Sequence, residues 1–195
     1  MDSNKKKGVF VVISGPSGVG KNTVADVLID KGYGIYSVSM TTRGMRDGEV
    51  EGRDYFFVSR EEFDRNIEED NFIEYAQYGD NYYGTLKSYV FDNLDSGTNV
   101  IAVVDIQGGV NIEKIFPEAV LIFIMPPSFK ELERRLRGRN TDSEEAILKR
   151  LEIAKKEMDF SSHYDYVVIN NTVDDTVKEI VNIIDNERDI INGNH

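Results

Sequence analysis

The sequence predicts a three-layer α/β fold, in which helices cover both faces of a parallel sheet. Three observations support this prediction. Continuous apolar runs rich in β-branched residues lie at residues 9–13, 100–104 and 121–125, and such runs are typical of strands buried on both faces of a parallel sheet. Amphipathic stretches follow these runs, so strands alternate with helices along the chain. The first run leads directly into a glycine-rich turn and a helix start.

The first element is a strand at residues 9–13, which consists of apolar residues throughout. A helix is predicted next at residues 21–31, with Val24 and Leu28 on its inner face and Gly32 after its end. These two elements open the parallel core.

Residues 33–90 differ in character, because tyrosines, glycines and charged residues dominate and the apolar stretches are short and alternating. Ser59 with Glu62 three positions later is a capping box, which predicts a helix start. We therefore predict a small α+β lobe at residues 37–86, inserted into the main fold.

The second half of the chain returns to alternating elements. The predicted strands and helices here are a strand at 100–104, a strand at 121–125, a helix at 128–137, a helix at 142–158, a strand at 166–169 and a helix at 172–188. The whole chain is then a single domain. Its predicted parts are a core at 8–36, 87–127 and 157–190, the inserted lobe at 37–86, and a helical lid at 128–156.

The glycine-rich turn has the spacing G-x-x-x-x-G-K between a strand and a helix, which is a phosphate-binding loop. Its members are Gly15, Pro16, Ser17, Gly18, Val19, Gly20 and Lys21. Backbone N–H groups and the helix N-terminus attract phosphate, the glycines allow close approach, and Lys21 adds a mobile cation. The fold class is therefore a P-loop NTPase fold. The alternative, a glycine turn that only caps a helix, is disfavoured because the glycines, the lysine and the flanking elements agree.

The residue after the lysine departs from the usual pattern. A serine or threonine normally stands there and its hydroxyl binds magnesium, whereas this chain has Asn22 followed by Thr23. Either Asn22 or Thr23 is expected to contact Mg²⁺ weakly, with the ion held mainly by substrate phosphates and water.

Composition excludes several classes of function. The formal net charge of −12 argues against nucleic acid as a partner. No stretch approaches the ~20 apolar residues of a membrane span, and residues 1–7 have no apolar segment like that of a secretory signal. The chain has no cysteine and only two histidines, so disulfides and a histidine metal site are not expected. We predict a cytoplasmic protein whose partners are small molecules; its oligomeric state stays open.

Further stretches resemble the guanylate kinases, over about residues 9–186. They are residues 37–46, 52–57, 72–76, 81–85, 105–108 and 138–141. The chemistry of these residues fits an acceptor nucleotide. Arg43 and Arg46 lie three apart and can both close on a phosphate, which arginine binds bidentately. Glu74 can accept from the N1–H and N2–H donors of guanine. Asp105 ends a buried strand, where α/β folds bind ligands.

The resemblance implies roles for all of these positions. It places Arg43, Arg46, Tyr55 and Tyr83 on the GMP phosphate. It places Ser39, Glu74, Thr85 and Asp105 on the guanine side. It also implies that Arg135, Arg139 and Arg150 are lid arginines that close over the ATP phosphates, and that Asn170 contacts adenine. Taken singly, Tyr55 and Tyr83 could be ordinary strand aromatics, Glu74 a surface carboxylate and Asn170 a turn residue.

The activity that the resemblance implies is ATP + GMP = ADP + GDP, by in-line transfer without a covalent intermediate. The expected catalytic residues are Lys21, Arg43, Arg135, Arg139 and Arg150. Val103 is a second departure, because the family usually has a carboxylate two residues before Asp105; magnesium then has fewer protein ligands. Two alternatives stay open: a non-catalytic scaffold that binds phosphorylated peptides, and a kinase for another phosphorylated acceptor. The intact phosphate loop disfavours the first, and Glu74 with Ser39 and Thr85 disfavours the second.

Overall fold

A computed structural model describes residues 6–138 and 143–193, and all structural statements below concern these residues. The strands are β1 (Phe10–Ser14), β2 (Ile35–Tyr36), β3 (Ser39–Thr41), β4 (Phe56–Phe57), β5 (Phe72–Tyr78), β6 (Asn81–Leu86), β7 (Val100–Val103), β8 (Val120–Met125) and β9 (Tyr166–Ile169). The helices are α1 (Lys21–Asp30), α2 (Arg60–Glu68), α3 (Lys87–Asp95), α4 (Ile106–Ile115), α5 (Phe129–Arg137), α6 (Glu144–Asp159) and α7 (Val173–Ile191), with a short 3₁₀ helix at Phe160–His163.

The central sheet has the strand order β2-β7-β1-β8-β9, and its neighbouring strands are parallel. Strand β1 lies in the middle, where Val11 pairs with Ile101 on one side and with Val120 on the other. A central parallel strand must be apolar on both faces, and every residue of β1 is buried. The carboxyl ends of β1 and β7 therefore lie side by side, which brings the phosphate loop next to Asp105.

Helices cover both faces of this sheet, as the sequence predicts. Val11 and Ile13 belong to a cluster that includes Leu28 of α1 and Ile180 of α7. Their alternating neighbours, such as Phe10, pack in a second cluster under α3 and α4. Each fully buried large apolar side chain contributes about 1.5–3 kcal/mol to folding. The predicted three-layer α/β fold is confirmed.

A second sheet, with the order β4-β3-β6-β5, has its own small core of Met40, Phe63 and Phe72. Helix α2 packs on it through Phe63 and begins where predicted, because the Ser59 hydroxyl accepts the N–H of Glu62. We refer to β3–β6 with α2 as the lobe, and to the five-stranded sheet with its helices as the core. The lobe joins the core where β2 leads into β3 and where β6 leads into α3.

The helices α5 and α6 are capped at their N-termini by Ser128 and Ser143, whose hydroxyls accept the backbone N–H groups three residues on. The last helix is longer than the predicted 172–188 and extends to Ile191, since Asn192 caps it by donating to the carbonyl of Arg188. Across the part of the chain described, no helix is both long enough and apolar enough to cross a bilayer.

Candidate active site

The phosphate loop joins β1 to α1 and has the backbone that its glycines permit. Gly15 and Gly20 have φ angles of 141° and 102°, which L side chains rarely adopt. A Cβ atom at Gly15 would lie 2.3 Å from the Ile124 carbonyl oxygen, and one at Gly20 would lie 2.8 Å from Nδ2 of Asn170. Backbone and side chains therefore require glycine at these two positions, as the motif predicts.

Lys21 lies across the mouth of this loop. Its Nζ donates to the carbonyl oxygens of Gly15 at 2.6 Å and Pro16 at 3.3 Å. Burial lowers the pKa of Lys21, while the charges of Glu157 and Asp105 raise it. A cavity of about 290 Å³ opens beside the lysine, and it is lined by Ser17, Gly18, Gly20, Lys21, Asn22 and Thr23. The size and the donors of this cavity suit phosphate groups.

The two candidate magnesium contacts border the same cavity. Asn22 and Thr23 are exposed at the start of α1 and offer neutral oxygen ligands. Within residues 6–138 and 143–193, no group of three or more His, Cys, Asp and Glu side chains could hold a metal ion by itself.

On the far side of the loop, Asn170 and Arg135 hold the loop in place. Asn170 is 3% exposed and donates from Nδ2 to the Val19 carbonyl at 2.8 Å, while its Oδ1 accepts from Thr176. Arg135 of α5 donates to the carbonyls of Val19 and Asn170 at 3.2 and 2.9 Å, and to Glu131. A second cavity of about 350 Å³ adjoins both side chains. Their predicted ATP contacts stay predictions, because both side chains here bind the protein itself.

Of the other two predicted lid arginines, the structure describes only one. Arg150 lies half-buried on α6. Arg139 lies outside the described residues, as do Asn140 and Thr141 of the stretch that resembles the family.

A larger cavity of about 400 Å³ lies between the lobe and the core. The predicted acceptor residues that line it are Ser39, Tyr55, Glu74, Tyr83 and Asp105. They come from five separate stretches of the chain, and the strand register brings several of them together. Ser39 pairs with Thr85 across β3 and β6, and Thr85 pairs with Glu74 across β6 and β5. The cavity also includes Val103, the position where the resemblance leads us to expect a carboxylate.

Glu74 is the most distinctive group in this cavity. Its carboxylate accepts from the Thr85 hydroxyl at 2.9 Å. Burial raises the pKa of Glu74, and the charge of Asp105 raises it further. In the described part of the chain Glu74 forms no ion pair, and its side chain is half-buried. A partly buried carboxylate without a cation is suited to a ligand that brings N–H donors.

The two acceptor arginines are joined through a residue that the sequence analysis missed. Glu49 accepts from Nη1 and Nη2 of Arg43 at 3.0 and 2.6 Å, and from the backbone N–H of Arg46 at 2.8 Å. These bonds lower the pKa of Glu49, with Arg43 the main cause. Arg43 also lies 5.3 Å from the centroid of the Tyr55 ring, which lines the acceptor cavity, but Arg43 itself does not line it. The Arg46 side chain is exposed and does not line it.

Two further residues at the site were also missed. Glu157 of α6 accepts the Ser17 N–H at 3.3 Å, and the Tyr78 hydroxyl donates to Asp105 at 2.9 Å. Glu49 could have been found, because it follows Arg46 by three positions in the same loop. Glu157 lies 140 positions from its partner, so no local pattern reveals it.

The phosphate-loop cavity beside Lys21 and the acceptor cavity are neighbours, and Asp105 acts on both. It lines the acceptor cavity, and its charge also acts on Lys21 at the phosphate loop. One anion-binding loop thus lies beside a cavity lined by carboxylates and hydroxyls. This arrangement can hold a phosphorylated donor and a second ligand with N–H donors.

Comparisons with known proteins agree with this arrangement. The family model described as guanylate kinase matches residues 7–187. A guanylate kinase of Caldanaerobacter subterraneus subsp. tengcongensis is 51% identical over 183 residues, which cover 93% of this chain and 89% of the relative. One of Fusobacterium nucleatum subsp. nucleatum is 50% identical and covers 92% of this chain and 97% of the relative.

The fold has a solved counterpart as well. The crystal structure of guanylate kinase from Anaplasma phagocytophilum superposes with a TM-score of 0.70 at 39% sequence identity. The match covers 94% of this chain and 88% of that one.

Proposed function

Because the chain belongs to the guanylate kinase family, we propose that it transfers the γ-phosphoryl group of ATP to GMP and forms ADP and GDP. The observation that supports this most directly is the half-buried Glu74, which lines a cavity beside the phosphate loop together with Ser39 and Asp105. Guanine supplies the N–H donors with which such a carboxylate can form hydrogen bonds. The activity places the protein in purine nucleotide metabolism and GMP recycling.

The donor nucleotide binds at the phosphate loop in this proposal. The backbone N–H groups of residues 17–23 and the N-terminus of α1 hold the phosphates. Lys21 turns from the carbonyls of Gly15 and Pro16 to the phosphates, since these carbonyls are its present hydrogen-bond acceptors. Asn170 lies at the adenine side, and Arg135, Arg139 and Arg150 offset charge on the transferring group.

The acceptor binds in the cavity between lobe and core. Glu74 accepts from guanine N1–H and N2–H, while Ser39, Thr85 and Asp105 complete the base contacts. Arg43, Arg46, Tyr55 and Tyr83 bind the GMP phosphate. Glu49 holds Arg43 in place by two hydrogen bonds, so the guanidinium is oriented before the ligand arrives. A phosphate dianion is already nucleophilic, so no residue needs to act as a strong general base.

Magnesium fits this site as a substrate-bound ion. Asn22 or Thr23 would contact it at the start of α1, and Val103 contributes no ligand from the core. When bound, Mg²⁺ neutralises charge on the ATP phosphates and orients them. The protein's part is to present neutral oxygens and leave the phosphates as the principal ligands.

Closure of the two nucleotide sites belongs to the same proposal. We propose that residues 37–86 move as a GMP-binding lobe and residues 128–156 as a lid, against a core of 8–36, 87–127 and 157–190. Closing both would exclude water from the transferring group. A cytoplasmic location, without nucleic-acid or membrane partners, is part of the proposal.

Steady-state turnover tests the proposal. The purified chain is assayed with ATP and Mg²⁺ against GMP, AMP, UMP and CMP, and again with GMP after addition of EDTA. We expect turnover with GMP to exceed that with the other acceptors and to stop when the metal is chelated. Preference for another acceptor would contradict the assignment of Glu74. Absence of turnover with all four, together with retained binding of a phosphorylated peptide, would favour a scaffold.

A further inference from the structure

One hydrogen bond joins the tip of the lobe to the core at the acceptor cavity. Tyr78 is the last residue of β5, and its hydroxyl donates to Oδ2 of Asp105 at 2.9 Å. The other hydrogen bonds between lobe and core, within the described residues, lie at the two chain connections: Ser37 donates its N–H to the Ile101 carbonyl, and Lys87 donates to Asp70 and to the Asn71 carbonyl. The bond between Tyr78 and Asp105 is therefore separate from the bonds at the chain connections, and both of its residues line the acceptor cavity.

Asp105 is held from two directions. Its Oδ1 accepts the N–H of Gly108 at 2.7 Å and so caps α4. Its Oδ2 accepts from Tyr78. The core thus fixes one oxygen and the lobe fixes the other. A carboxylate has about four lone-pair positions, so positions remain on both oxygens for a ligand in the cavity.

The surroundings explain why a neutral donor suits this position. Glu74 and Asp105 line the same cavity, and each charge opposes the other. A hydroxyl group stabilises an ionised carboxylate by hydrogen bonding without adding a cation that would compete for Glu74. The bond to Asp105 raises the pKa of Tyr78, so Tyr78 stays protonated as the donor. Its ring also packs edge to face against Tyr83, at 6.0 Å between centroids.

We propose that Tyr78 is a positioning residue of the acceptor site, which orients Asp105 through its hydroxyl and holds the β5–β6 hairpin against the core. This role rests on the proposed GMP phosphorylation, because it assumes that the acceptor occupies this cavity. Loss of the hydroxyl weakens the acceptor site and leaves the donor site intact. It does so without removing any group that touches the reacting atoms.

The test is Tyr78→Phe, which removes one oxygen atom and keeps the ring. Tyr75→Phe is the matched control, since Tyr75 is exposed on the same strand and no hydrogen bond of its hydroxyl is found in the described residues. A partly exposed hydrogen bond to a charged group predicts that Tyr78→Phe raises the KM for GMP about three- to tenfold. The KM for ATP and the melting temperature should stay close to those of the parent protein.

A double-mutant cycle with Asp105→Ala, which leaves no side-chain acceptor for Tyr78, separates this role from a general loosening of the lobe. If Tyr78 acts through Asp105, removing its hydroxyl has little further effect on the KM for GMP once Asp105 is Ala. Additive effects of the two substitutions would overturn the proposal. So would an unchanged or lower KM for GMP in Tyr78→Phe, because a lower KM means that the hydroxyl competes with the ligand. The parent protein's turnover with GMP is measured first, so that failure of the proposed function is recognised separately.

Discussion

The sharpest test of the acceptor assignment is Glu74→Gln. This change keeps the size and shape of the side chain, and the amide oxygen can still accept from the Thr85 hydroxyl, as Oε1 of Glu74 does at 2.9 Å. It replaces the second carboxylate oxygen by an NH₂ group, so that an N–H donor of the side chain faces an N–H donor of guanine. A hydrogen bond to a charged group is worth about 1.5–3 kcal/mol, and leaving a buried donor unpaired costs about 1–3 kcal/mol.

From these values we expect the transition state for GMP to lose about 2–4 kcal/mol of stabilisation, or about 30- to 700-fold in kcat/KM. The KM for ATP should change less than about twofold, because the donor site is built from other residues. Both are measured by steady-state turnover with each substrate varied in turn. A loss in kcat/KM for GMP below about threefold, or an equal loss for ATP, would refute base recognition by Glu74.

The same substitution should not destabilise the protein. Burial raises the pKa of Glu74 in the fold, so the folded state binds this proton more tightly than the unfolded chain, whose glutamates titrate near ~4.3. The wild-type protein therefore loses stability from this group as pH rises through the folded pKa. Glutamine does not ionise, so the Glu74→Gln variant has no such loss of stability. Urea unfolding at pH 8 should give Glu74→Gln a free energy of unfolding equal to or above that of wild type, and any advantage should vanish below about pH 4.

Two further predictions concern the donor side. Gly20→Ala places a Cβ 2.8 Å from Nδ2 of Asn170 at a φ of 102°. This substitution should lower kcat/KM for ATP at least about tenfold. The control is Gly32→Ala, a position with a positive φ but with nothing within 4 Å of the added Cβ, and this variant should keep its activity. Arg135→Ala removes two bonds to backbone carbonyls and should lower the melting temperature by about 4–10 °C in a thermal scan, for a loss of about 2–3 kcal/mol. Arg134→Ala, whose side chain is 75% exposed and pairs with Glu131, is its control; equal effects of the two substitutions would contradict a role of Arg135 in holding the loop.

The sequence by itself determined the central strands and the phosphate loop. Short unbroken apolar runs rich in β-branched residues favour strands buried on both faces, and the G-x-x-x-x-G-K spacing requires a particular turn, so both follow from local chemistry. The strand predicted at 9–13 is found at Phe10–Ser14, and the one at 121–125 at Val120–Met125. A change in composition predicted a lobe at 37–86, and the Ser59 cap predicted the start of a helix, which the structure has at Arg60.

Only the tertiary structure decided which side chains meet and how they are held. Glu157 reaches the phosphate loop from 140 positions away, and Tyr78 reaches Asp105 from another sheet. It also showed that Arg135 and Asn170 both bind the Val19 carbonyl of the loop, whereas the resemblance gave them only nucleotide contacts. The physical reason is that a motif specifies backbone conformation within a few residues. Contacts between distant segments depend instead on strand order, register and packing, which no short pattern encodes.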